Sequence, residues 1–94
     1  VNDFLLALTP ADVERSLAER LRAARRARGW TQAELARRSG VSVPTIARME
    51  RSGQGQLSSL TRLCAALGRL QDFDGLLAAA PPATLDELRR RGTR

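Results

Sequence analysis

Val43, Pro44, Ala47 and Arg48 would share one side of a helix whose other side holds Ile46 and Met49. The exposed side offers recognition chemistry. Arg48 carries a planar fork of N–H donors that fits O6 and N7 of a guanine, a contact worth about 1–3 kcal/mol of discrimination. Val43 and Pro44 can offer only apolar contact, for example to a thymine methyl. The plain alternative for Arg48 is a solvated arginine of the kind any helix surface carries.

Covalent and acid–base chemistry find little support. The chain has no histidine, so a nucleophile lacks its ordinary base partner. Its 10 carboxylates are dispersed, and several fall where caps or ion pairs would use them. Neither a glycine-rich phosphate loop nor a metal-ligand spacing occurs. We therefore expect no enzyme, no metal and no cofactor. The single cysteine, Cys64, cannot close an internal disulfide and reads as a small core residue in a reducing cytoplasm. No apolar run approaches the ~20 residues of a membrane span. The start, Val1 to Leu8, is short and carries Asp3 where a secretory leader has a basic flank. Its opening on Val1 suggests a trimmed or incomplete N-terminus.

All 16 basic residues are arginine, and the net charge is +6. Codon bias in a GC-rich genome accounts for the missing lysine. The positive balance itself favours, weakly, a polyanionic partner.

The elements that must position Arg48 are helices. Only 3% of the 94 residues are aromatic, so leucine, alanine, valine and isoleucine fill a single core. Long β-branched stretches are missing, and no strand is expected. Thr9 caps a first helix with Pro10 in its first turn and Asp12 and Glu14 near the positive end of the dipole. Val13, Leu17, Leu21 and Ala24 form its apolar face, and Gly29 stops it. Trp30 packs under the next turn. Thr31 and Glu34 form a capping box for a second helix, with Leu35 and Ala36 inward and Arg37 and Arg38 outward.

Ser42 caps a third helix, which buries Ile46 and Met49 beside Val41. A polar loop from Ser52 to Gln56 follows, in which Gln54 and Gln56 are either backbone contacts or plain solvated residues. A fourth helix from Leu57 or Ser58 buries Leu60, Leu63, Cys64 and Leu67 and closes at Gly68. Asp72, Phe73, Leu76 and Leu77 suggest a fifth. After a break at Ala78 to Pro82, Thr84 and Glu87 open a short last helix that runs into the basic tail at Arg89, Arg90 and Arg91. The expected organisation is an N-terminal extension over 1–8, a five-helix all-α domain over 9–80, and a short helix with basic tail over 81–94.

Within that order one spacing is specific. Ala36 lies where two helices cross closely, Gly40 four residues on where the turn wants positive φ, and Ile46 six further, plugging the core under the second helix. Short helices joined by a tight turn at this small–glycine–aliphatic spacing describe a helix-turn-helix unit. The segment from Gly29 to Glu50, with its Thr-Gln-x-Glu-Leu-Ala start, capping Ser42 and trailing Glu50, resembles the lambda-repressor/Cro (XRE) helix-turn-helix family. The resemblance covers about residues 17–68, including the leucine pattern of the fourth helix.

That resemblance implies a sequence-specific, double-stranded DNA-binding transcription regulator from a prokaryote. It implies a phosphate contact for Gln32 at the start of the second helix. It implies a recognition helix over 43–51, capped by Ser42 at the interface, with Val43, Pro44, Ala47 and Arg48 facing the groove and Thr45 and Arg51 reaching the backbone. Arg25 and Glu50 match a family pair that ties the first helix to the recognition helix and does not touch DNA. Members with paired glutamines at the groove-facing positions differ from this chain, so DNA shape and phosphate contacts would supply much of its specificity.

One such domain reads a half-site, so a homodimer on a near-palindrome is expected. Leu70, Phe73, Leu76 and Leu77 are the best dimer surface, with Phe4, Leu5 and Leu6 as possible additions; the alternative is that both segments close the monomer core. The chain also resembles HipB-type antitoxins, which repress their own operon and hold a kinase-fold toxin. Those proteins can pair short C-terminal strands, whereas Leu70 to Leu77 reads here as helix. RNA is a weaker partner, because a recognition helix cannot enter the deep, narrow major groove of A-form RNA.

Overall fold

A computed structural model describes residues 9–79. The N-terminal extension, the helix expected after Thr84 and the basic tail lie outside these residues. The described part holds four α-helices and one 3-10 turn, with no strand among the described residues: α1 (Pro10–Ala27), α2 (Gln32–Ser39), α3 (Val43–Ser52), α4 (Leu57–Ala66) and a 3-10 helix (Leu70–Phe73). None of these helices is long and apolar enough to cross a membrane.

Short-range capping sets three of the four starts. Thr9, Thr31 and Ser42 each accept a hydrogen bond from the backbone N–H three residues on, at 3.1, 3.1 and 3.3 Å. The reciprocal half of the expected capping box is absent at α2, because the Glu34 carboxylate turns outward to Arg37 and Arg38. Gly40 ends α2 at φ 77°, a left-handed conformation that costs a glycine nothing, and its N–H returns to the Ala36 carbonyl at 2.9 Å. The chain thereby leaves α2 and enters α3 within three residues.

The core joins one fully buried side chain from each of three helices: Leu35 of α2, Ile46 of α3 and Leu63 of α4. Leu21, Val41, Met49 and Leu67 complete it, with Trp30, Ala36 and Leu60 packed at its margin. α1 lies against α3, and α2 lies against both α3 and α4. Each buried leucine or isoleucine contributes roughly 1.5–3 kcal/mol by leaving water.

Two expectations need correction. The buried face of α1 is centred on Ala18, Leu21 and Arg25, and Leu17 is 39% exposed. Of the expected face of Val13, Leu17, Leu21 and Ala24, Leu21 is buried and Ala24 packs against the core, and the buried stripe is shifted to the side away from Leu17. The cause is Arg25, a core position that an apolar count leaves out. The fifth helix is the second correction. Only the single 3-10 turn forms, and Leu77 takes a positive φ of 58°, which ends any helical run. Leu70, Leu76 and Leu77 stand exposed, so no burial offsets the cost of nucleating so short a helix.

Candidate nucleic-acid interface

α3 is held from behind. Ile46 and Met49 are buried beneath it. Glu50, on the flank toward α1, receives a bidentate pair from Arg25: Nε donates to Oε2 at 2.7 Å and Nη2 to Oε1 at 2.9 Å. The third Arg25 nitrogen donates to the Trp30 carbonyl at 2.8 Å. The two side chains are only 10% and 4% exposed, so each charge depends on the other. Burial pushes the Glu50 carboxyl up. The hydrogen bonds from Arg25 and Gln32, with the charges of Arg25 and Arg22, outweigh that and hold it below the usual carboxylate range. The same contact with Glu50 raises Arg25 above its ordinary value.

The expected site residues fall on two sides of this anchor. Val43, Pro44 and Arg48 are exposed on the outer arc of α3, with Ala47 half-buried toward α1. Arg51 lies on the same arc one turn beyond Ala47 and is exposed. Neither the Arg48 nor the Arg51 guanidinium has a hydrogen-bond or ion-pair partner among the described residues. Ser42 and Thr45 sit together at the N-terminus of α3, where the Ser42 hydroxyl donates to the Thr45 oxygen at 2.9 Å.

Gln32 is placed differently from a simple exposed amide. Its Nε2 donates to Glu50 Oε1 at 3.2 Å, which leaves its second N–H for a partner outside the protein. Eighteen positions separate these two residues, so no local pattern signals the bond.

Other arginines are committed elsewhere. The Arg38 and Arg28 guanidinium carbons lie 4.3 and 5.3 Å from the Trp30 ring centre. Arg28 also donates to the Leu67 carbonyl at 2.8 Å, fastening the end of α1 to the end of α4. Arg15 pairs with Asp12 within α1. One further groove-lining cation, on α1, has little linear signal. Arg22 faces a groove shared with Gln32, Ala47 and Arg51. The only linear signal for it is the seven-residue spacing of Arg15 and Arg22, which places both on one helix face.

The arrangement can place a rigid helix, with two uncommitted guanidinium groups, into a groove lined by acceptors and anions. Two short helices crossing over a tight turn with an exposed second helix suit the major groove of B-DNA, which admits an α-helix. The sequence model of the helix-turn-helix domain matches residues 16–74. No curated protein and no solved structure gives a match.

Proposed function

The chain belongs to the helix-turn-helix domain family, and from that premise we propose that it is a sequence-specific transcription regulator of double-stranded DNA. The observation that carries this reading is α3 itself. Its inner face is locked by Ile46, Met49 and the Arg25–Glu50 pair, while its outer face presents Arg48 with no protein partner among the described residues.

In this reading Val43, Pro44, Ala47 and Arg48 face base edges, and Arg48 forks onto a guanine. Gln32, Ser42, Thr45 and Arg51 hold phosphates and set the register. Residues 9–80 form the binding unit. The protein works as a homodimer, in the cytoplasm, and represses transcription, including that of its own gene. Exposed Leu70, Leu76 and Leu77, the last 97% exposed, supply the dimer surface beside half-buried Phe73.

The test is fluorescence anisotropy at ~150 mM salt with DNA from upstream of the gene and a shuffled control. Binding to the native sequence at least 10³-fold tighter than to the control is the expected result. Equal, weak, salt-sensitive binding to both would defeat specific readout by this domain. It would turn attention to a protein partner that completes it; a kinase-fold toxin gene immediately downstream would favour the antitoxin role.

A further inference from the structure

Positive charge extends past α3. Between α1 and α3 lies an open groove of about 570 Å³. Ala18 and Ala47 line it with methyl groups, and larger side chains there would fill it. Arg25 and Glu50 line it too, but they satisfy each other. The remaining charged groups are Arg15, Arg22 and the exposed carboxylate of Glu19 from α1 and Arg51 from α3, so the cations still outnumber the anion. Arg15 is already paired with Asp12.

Arg22 and Arg51 are not paired. Neither guanidinium has a hydrogen bond or ion pair among the described residues. Arg22 is near enough to Glu50 for its charge to act on that carboxyl. Yet no hydrogen bond joins Arg22 to Glu50, whose oxygens accept two bonds from Arg25 and one from Gln32. Two exposed arginines from different helices therefore border one small-walled groove, with the spare N–H of Gln32 at the same groove.

We propose that this groove takes a DNA backbone phosphate, held by Arg22 from α1 and Arg51 from α3, so that the footprint crosses from the recognition helix onto α1. The proposal rests on the DNA-binding reading above. A phosphodiester suits the site because its oxygens accept forked bonds from two guanidinium groups at once. The contact is blind to sequence and acts on affinity and register.

The salt dependence of binding to one 20-bp duplex, followed by anisotropy, tests this. Wild type is compared with Arg22→Ala, Arg22→Lys and a charge-matched control, Arg62→Ala, whose exposed side chain on α4 is outside the groove. Arg22→Ala should flatten the slope of log K against log salt by about 0.9 for each protomer bound, about 1.8 for the proposed dimer, the value of one released phosphate contact per subunit. Its affinity should fall about tenfold per protomer at 0.1 M salt, equally on a shuffled duplex. Arg22→Lys should restore the slope, and Arg62→Ala should leave it at the wild-type value. A wild-type slope for Arg22→Ala, or an equal loss for Arg62→Ala, overturns the phosphate site while leaving DNA binding intact. A changed base preference for Arg22→Ala at an unchanged slope overturns it too, making Arg22 a base reader. If wild type itself binds no duplex, the DNA-binding reading fails first and this proposal falls with it.

Discussion

The two faces of α3 share ten residues and almost nothing else. On the inner face every group is committed: Ile46 and Met49 are buried, and Glu50 is shared by Arg25 and Gln32. On the outer face Val43, Pro44 and Arg48 are exposed, and Arg48 is unpaired among the described residues. A probe that must reach base edges with the same geometry each time needs both halves. The inner face removes the freedom that would otherwise be lost on binding, and the outer face leaves its donors unspent.

The sharpest way to break this contrast is Glu50→Ala. It strands a buried arginine, and the expected loss is about 3–5 kcal/mol of stability in urea unfolding. That is a large share of the ~5–15 kcal/mol available to a small domain. Replacing Arg25 and Glu50 together with apolar residues should recover most of the loss; a double variant as unstable as Glu50→Ala would contradict the pairing argument. Acid provides an independent check. The folded Glu50 carboxyl lies below its unfolded value of about 4.3, so its stabilisation is present above that pH. It disappears as pH falls through the lower, folded value. Glu50→Gln should therefore flatten the fall of melting temperature in that acid range, and an unchanged profile would place the effect on other carboxylates.

Two glycines sharpen the contrast at the ends of the motif. Gly40 and Gly53 both adopt φ 77°. A Cβ at Gly40 meets nothing within 4 Å, whereas one at Gly53 would lie 2.4 Å from the Glu14 backbone oxygen. Gly40→Ala should cost about 1–2 kcal/mol, the left-handed strain alone. Gly53→Ala should cost about 2–5 kcal/mol, because α3 must also move away from α1. Equal losses in thermal unfolding would mean that the close approach of α3 to α1 at Gly53 yields freely.

What the sequence makes legible follows the range of each interaction. The caps Thr9, Thr31 and Ser42 act over three residues, and Gly40 acts on its own backbone, so all four can be read from the chain. Leu35, Ile46 and Leu63 keep helical periodicity and were equally legible as core. The α1 face was legible only in part, through Leu21 and Ala24, because Arg25 enters the core only through Glu50, 25 positions away. The resemblance to known repressors supplied that pair where periodicity could not. The 3-10 turn at Leu70–Phe73 escaped for the opposite reason: its leucines fit a helical pattern but have no surface within the described residues to bury against. The Arg22–Arg51 groove needs two helices laid side by side, and no linear spacing encodes that.

Arg48→Ala should separate the faces cleanly. Folding stability should stay within about 0.5 kcal/mol, as for an ordinary surface change. Operator binding should weaken by about 1–3 kcal/mol, with relaxed preference at one base pair per half-site. Wild-type affinity for the operator would remove Arg48 from the base-reading set. Loss of stability of the same size would show that the outer face is not independent of the inner one.

Gln32 sits on the boundary between the faces, and its effect should be the smallest and the most mixed. Gln32→Ala removes one hydrogen bond to Glu50, which keeps both bonds from Arg25. Stability should fall by about 0.5–1.5 kcal/mol. Its proposed phosphate contact is made by a neutral amide, which releases no counterion. Binding should therefore weaken alike on every duplex, with no change in the salt slope, unlike the loss expected for Arg22→Ala. A shift in base preference would move Gln32 into the reading face. A fall in stability without any fall in affinity would assign it wholly to the inner one, as a clamp on Glu50.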